Sequence, residues 1–298
     1  LYNFGNAVFS AVGNTKKPLL FLTTAGVANV VMNLFFVIVC GLGVAGVAIA
    51  SAASQCVCAV LIVVSLLRSK ENIALRPHAL KVSADKARFV LRLGIPAGCQ
   101  NAIFAIANLF IQSGVNSFDA VTVEGNSAAA NSDALVYDVM NAFYMACSSF
   151  ISQNMGAKKK KRMLQSYFIS LAYSFGAGAV LGLSLVVFGR QFLSLFTKDA
   201  AVMEAGMARL RVMGFSYMVS AFMDNTIAAS RGLGKALVPT IIVILGSCVF
   251  RVVWVYTIFA YFHTIDSLYL LYVFSWTITA VAEILYFAKS YRKLAATL

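Results

Sequence analysis

Stretches of about 20 apolar residues recur eight times along this chain, and that is the length a helix rising about 1.5 Å per residue needs to cross a hydrocarbon core of roughly 30 Å. The spans predicted from this pattern are 18–40, 44–67, 88–116, 128–155, 164–188, 203–230, 237–262 and 267–288, with 1–13 as the tail of an earlier helix. In lipid every backbone N–H and C=O must be satisfied internally, so only helices and closed barrels span. Strand periodicity is absent from the pattern, which makes the expected fold class all-α: a polytopic transmembrane helix bundle of about eight full spans plus a partial one. Composition agrees, because 60% of the 298 residues are hydrophobic and only 12% charged, against roughly 25% charged in soluble domains.

The formal charge of +13 raises the question of nucleic acid, but the basic residues lie on no folded polar domain. They cluster at Lys16 and Lys17, between Arg68 and Arg92 (Lys70 included), in the run 158–162, at Arg231 and Lys235, and from Lys289 to Lys293. Nineteen of the 24 basic residues thus fall on alternate loops, while the loops between them carry only Arg190 and Lys198 beside Asp119, Glu124, Asp199 and Asp266. By the positive-inside rule the basic loops are cytoplasmic. Eight spans then leave Lys16 and the C-terminus on that same side, so the parity of the span count and the charge pattern agree. The expectation is a multi-pass protein of the plasma (inner) membrane, partnered by lipid and without nucleic acid.

Two segments repeat. Gly13 to Pro18 reads GNTKKP and Gly234 to Pro239 reads GKALVP, an offset of 221 residues. The same offset lays span 18–40 on 237–262 and 44–67 on 267–288, the weak self-similarity by which parallel transporter repeats show themselves. Carried upstream, it implies a twelve-span parent of two six-helix bundles and roughly 130 further residues before Leu1.

Several motifs then acquire a common meaning. RLGIPAG (92–98), IQSGVNSF (111–118), MNAFY (140–144), SQNMGA (152–157), RGLGK (231–235) and CVFRVVW (248–254) resemble segments of the multidrug and toxic compound extrusion (MATE) family, and GVAGVAIASAASQ (43–55) resembles the sixth helix of its N-lobe. The resemblance runs from Leu1 to about Lys293. It implies twelve helices in two pseudo-symmetric lobes, a central cavity for amphiphilic organic cations and other drugs, and antiport against protons or sodium by alternating access. On this reading 1–75 is the C-terminal part of the N-lobe (end of helix 4, helices 5 and 6), 76–87 a cytoplasmic linker, and 88–298 the C-lobe (helices 7 to 12), so the chain is a truncated copy. Two departures stand out. The family's helix 1 Asp, tied to proton coupling, is not in this chain, and the helix 7 acid of sodium-coupled members falls near Phe104.

Charged groups deep in a bilayer are costly and are functional candidates. Asp133, Asp224 and Arg251 are the candidates for cation coupling, Arg251 as counter-ion more than as ligand; Asp138, 140° around the helix from Asp133, is assigned to structure. Glu283, late in its span, is expected to be solvated, and Arg209 and Arg211 to snorkel from the outer helix end. Asp133, Tyr137, Asn141 and Tyr144, with Ser148, share one helix face by their spacing of 4, 4, 3 and 4. Asn101, Asn108 and Gln112, with Asn116, share another, and Tyr217 joins Asp224 on a third. Such faces could line a wet cavity in which rings and carboxylates bind a flat organic cation, or hold neighbouring helices together. Gly178 and Gly182 form GxxxG, read as close helix packing.

No cofactor is expected beyond the coupling ion, proton or sodium. His78 and His263 belong to no HExxH or Cys/His cluster, the six cysteines have no metal-type spacing, and no paired nucleophile and base suggests an enzyme. A flippase for lipid or polysaccharide precursors is the alternative transporter, for which a lumen richer in Arg and Lys is expected; a non-functional fragment is the other.

Overall fold

The computed structural model describes residues 1–69 and 73–297; Lys70, counted above among the loop cations, lies outside the described residues. All regular structure among them is helical. The chain divides into two units, Leu1–Ser83 and Ala84–Leu298, and the linker predicted at 76–87 straddles that boundary.

In the first unit α1 (Tyr2–Ala11) and α2 (Lys16–Leu34) pack with α3 (Gly43–Leu67). A π-helical turn, Phe35–Val39, extends α2. The fully buried Phe9 and Ile62 form the core of this unit with Leu66. A short 3-10 turn, Pro77–Ala79, follows.

The second unit contains α4 (Ala84–Val115), α5 (Ala120–Gly156), α6 (Lys160–Leu193), α7 (Ala200–Gly232), α8 (Leu237–Phe262) and α9 (Ile265–Thr297). Asp119 and Asp199 cap α5 and α7, their carboxylates accepting from the first free backbone N–H groups of each helix. Pro96 falls inside α4, which begins four residues before the predicted start. Two π-helical turns, Ile244–Val249 and Val255–Phe259, interrupt α8 on either side of Arg251.

Seven helices among the described residues are long and apolar enough to cross a membrane, against the eight predicted. The exception is α7, which has the length, 33 residues, but not the apolarity. Its neighbours explain this. α7 packs against α5, α6 and α9, and more than half of it is buried, including Ser216, Ser220, Asn225, Thr226 and Ser230. A helix enclosed by other helices does not need lipid-compatible side chains, and small and polar residues suit its interfaces. Gly182 of α6 and Gly214 of α7 show how closely: a Cβ on Gly182 would run into the Gly214 carbonyl oxygen. The GxxxG at 178–182 is therefore a packing motif, as predicted.

The repeat extends into the backbone. Gly13 and Gly234 both adopt positive φ, +82° and +71°, the left-handed conformation glycine takes without steric penalty. Pro18 and Pro239 each stand third in the helix that follows. Shifted back by 221 residues, the π turn Val255–Phe259 falls within one residue of Phe35–Val39, and the start of α9 within one residue of the start of α3. The other π turn of α8 has no counterpart in α2.

Candidate functional site

A cavity of about 610 Å³ opens within the second unit among α4, α5, α7, α8 and α9, inside the range of small-molecule sites. From α4 it takes Asn101, Asn108 and Gln112, from α5 Asp133 and Tyr137, from α7 Tyr217 and Asp224, and from α8 Arg251. Eight of the ten predicted site residues thus come together. Asn141 and Tyr144 stand apart. They share the α5 face with Asp133, but Met140, one residue before Asn141, is the last α5 residue to border the cavity, and Tyr144 is buried in the core with Met140, Tyr217 and Ala221.

The sequence places Asp133, Tyr217 and Arg251 among the site residues, but not Arg209. Arg209, predicted to snorkel, is 6% exposed, because α7 starts at Ala200 and puts it more than two turns inside the helix. Its guanidinium makes an ion pair with Asp133, donates to Asn126 Oδ1 at 2.8 Å, and lies 5.6 Å from the ring centres of both Tyr269 and Tyr272. Tyr217 donates its hydroxyl to the other oxygen of Asp133. Both oxygens of this carboxylate are therefore engaged by protein groups. Arg211, in contrast, is exposed and pairs with Glu204 at 3.1 Å.

Arg251 is 2% exposed, with no carboxylate within ion-pair distance among the described residues. Aromatic faces surround it instead: its guanidinium carbon lies 4.8 Å from the Tyr272 ring centre, 5.3 Å from Phe104 and 5.9 Å from Trp276. It also donates to Asn108 Oδ1 at 3.3 Å and Ser275 Oγ at 3.4 Å. Tyr272 thus offers its ring to two guanidiniums, Arg209 and Arg251. Cation–π attraction strengthens when the cation is desolvated, which stabilises a buried arginine that has no acid beside it.

Asp224 differs from Asp133. It borders the cavity, is partly exposed to it, and takes part in no hydrogen bond or ion pair among the described residues. Arg231 and Arg251 are the cations within electrostatic reach. Asp138 is exposed on α5 and does not border the cavity. Glu283, predicted to be solvated, is fully buried: α9 runs beyond the predicted span in both directions, which puts Glu283 near the middle of a 33-residue helix. Among the described residues no group of three or more His, Cys, Asp or Glu side chains is gathered to hold a metal ion.

Helices of membrane length around a polar, aromatic cavity define a multi-pass helical membrane protein of transporter architecture. Residues 96–257, more than half the chain, match the MatE family model, and the chain belongs to the MATE family. It is 27% identical over 244 residues to a probable multidrug resistance protein, YpnP, of Bacillus subtilis (strain 168), covering 81% of this chain and 54% of that protein. It is 25% identical over 207 residues to an FAD transporter of Shewanella oneidensis, covering 67% of this chain and 45% of that one. The solved outward-facing structure of a multidrug resistance MATE family transporter of the MOP superfamily superposes with a TM-score of 0.90 at 20% identity, over 98% of this chain and 66% of that one, a likeness of fold. The chain spans about half the length of these curated relatives.

Proposed function

We propose that the protein serves the export of amphiphilic organic compounds across the plasma membrane, exchanging substrate for protons or sodium at Asp224, as a monomer with its C-terminus in the cytoplasm. The carrying observation is the contrast between the two cavity acids. Asp133 is occupied by Arg209 and Tyr217, whereas Asp224 faces the cavity without a partner. A carboxyl can couple two fluxes when proton or sodium and cationic substrate compete for it, since each neutralises the same negative charge. Tyr137, Trp276 and Phe104 provide aromatic surface for a flat cation beside it. Arg209 and Asp133 take the supporting role, fixing α7 against α5.

Accumulation of the lipophilic cation tetraphenylphosphonium tests this in cells of a drug-sensitive bacterium expressing the protein. Lower accumulation than in vector controls, returning to the control level in D224N at equal expression, is the expected result; unchanged efflux in D224N removes Asp224 from the mechanism. A second reading, a substrate that carries an anionic group, is favoured by one observation: Arg251 borders the cavity with no acid within ion-pair distance among the described residues. Competition of FAD with tetraphenylphosphonium that is lost in R251Q favours that reading over the first.

A further inference from the structure

Glu283 is the acid that the exchange just described does not use. It is fully buried, and neither carboxylate oxygen has a hydrogen-bond partner. An ionised carboxylate held this way carries a desolvation cost of several kcal/mol unless a counter-ion is near or a proton is bound. The counter-ion within electrostatic reach is Arg231, at the end of α7, and the repelling charge is Asp224 on the same helix. The other titratable or charged side chains that the elements packed on this stretch of α9 bring close are Cys248 and Arg251 of α8 and Tyr167 of α6, which stacks on Phe287 at 4.7 Å.

Arg231 is within electrostatic reach of both acids. Its Nη2 donates to Gln100 Oε1 at 3.0 Å, an oxygen that also accepts from Thr240 Oγ1 at 3.3 Å. Its Nε is buried without a partner, and both Asp224 and Glu283 act on its charge. Gln100 and Asp224 border the cavity, while Glu283 does not. One guanidinium thus serves two carboxyls, one facing the cavity and one sealed behind it.

We propose that Glu283 is a second proton-binding site, the inner station of a two-acid relay whose shared counter-ion is Arg231. The inference rests on the reading of Asp224 as the exchangeable acid. When Asp224 holds its proton, Arg231 neutralises the Glu283 carboxylate. When Asp224 becomes ionised with no cation bound to it, it claims the charge of Arg231, and Glu283 takes up one proton. The net change is one proton moved from an Asp224 oxygen to a Glu283 oxygen, carried by water because arginine keeps its own protons; no other bond changes. Two acids so coupled titrate as a pair, and in membrane proteins chains of such acids carry protons.

Infrared difference spectroscopy of the purified protein in lipid, with and without ¹³C-glutamate, tests this. The chain has four glutamates, Glu71, Glu124, Glu204 and Glu283, so E71Q/E124Q/E204Q leaves Glu283 as the only labelled group even if E283Q does not fold. The expected result is a protonated-carboxyl band that shifts with the label, survives in the triple variant, is lost in E283Q, and weakens in D224N at the same pH because Arg231 then serves Glu283 alone. Absence of a protonated glutamate band in the triple variant, or a band that D224N leaves unchanged, overturns the relay. Failure of the Asp224 reading shows elsewhere, as tetraphenylphosphonium efflux that D224N does not alter.

Discussion

Arg209 and Asp133, 76 residues apart in sequence, form an ion pair that ties α7 to α5 at the edge of the cavity, with Tyr217 on the second oxygen of the same carboxylate. Both oxygens of one cavity acid are thereby engaged by protein groups, whereas the other, Asp224, has no hydrogen-bond or ion-pair partner among the described residues.

The pair lends itself to a double-mutant cycle. Removing one partner of a buried pair leaves the other charge uncompensated, at a cost of about 3–5 kcal/mol. D133N and R209Q are each expected to lower the thermal unfolding midpoint in detergent strongly, and D133N/R209Q to cost much less than the two losses added together. Additive losses would mean that the two groups do not stabilise each other.

The close approach of α6 and α7 gives a second test. Gly182→Ala places a methyl against the Gly214 carbonyl oxygen, and overpacking of this kind costs about 1–3 kcal/mol. Gly176→Ala, with open space around its Cβ, is the control expected to unfold with the wild type. Equal midpoints for both variants would contradict the tight crossing.

At the mouth of α5 the test is pH. Side-chain and backbone hydrogen bonds from Thr122 hold the Asp119 carboxyl below its ordinary range. A group depressed on folding contributes stability that is present above its unfolded pKa and lost as pH falls through its folded pKa. Amide exchange at Thr122 and Val123 is therefore expected to be faster in D119A than in wild type near neutrality. The difference should vanish on acidification below the ordinary carboxylate range.

Much of the architecture is written in the sequence, because a lipid solvent imposes a length and a polarity that any reader of apolar runs can count. The repeat at 13–18 and 234–239 is legible for a related reason: glycine at positive φ and proline in a first helical turn are local requirements. Pairings are not local. That Arg209 meets Asp133 depends on α7 lying beside α5, which no spacing within either helix states. Glu283 and Arg209 are buried where the sequence predicts solvent, because distance from a predicted helix end is the one local guide to their depth. α9 and α7 both extend further than their apolar cores, since a buried face admits polar residues. Within the cavity, the amide and acid faces of α4, α5 and α7 were readable from helical periodicity, but the aromatic box around Arg251, with Phe104 from α4 and Tyr272 and Trp276 from α9, needed three dimensions.

Asp224 is proposed to exchange a proton or cation for substrate in the cavity of the second unit. Proton release on binding of tetraphenylphosphonium to the purified protein, followed with a pH indicator in weak buffer without sodium, measures it most directly. Binding is expected to tighten as pH rises, with proton release in wild type and in E283Q, and to lose both the release and the pH dependence in D224N, whose thermal unfolding stays close to that of wild type. Proton release of equal size in wild type and D224N would contradict it.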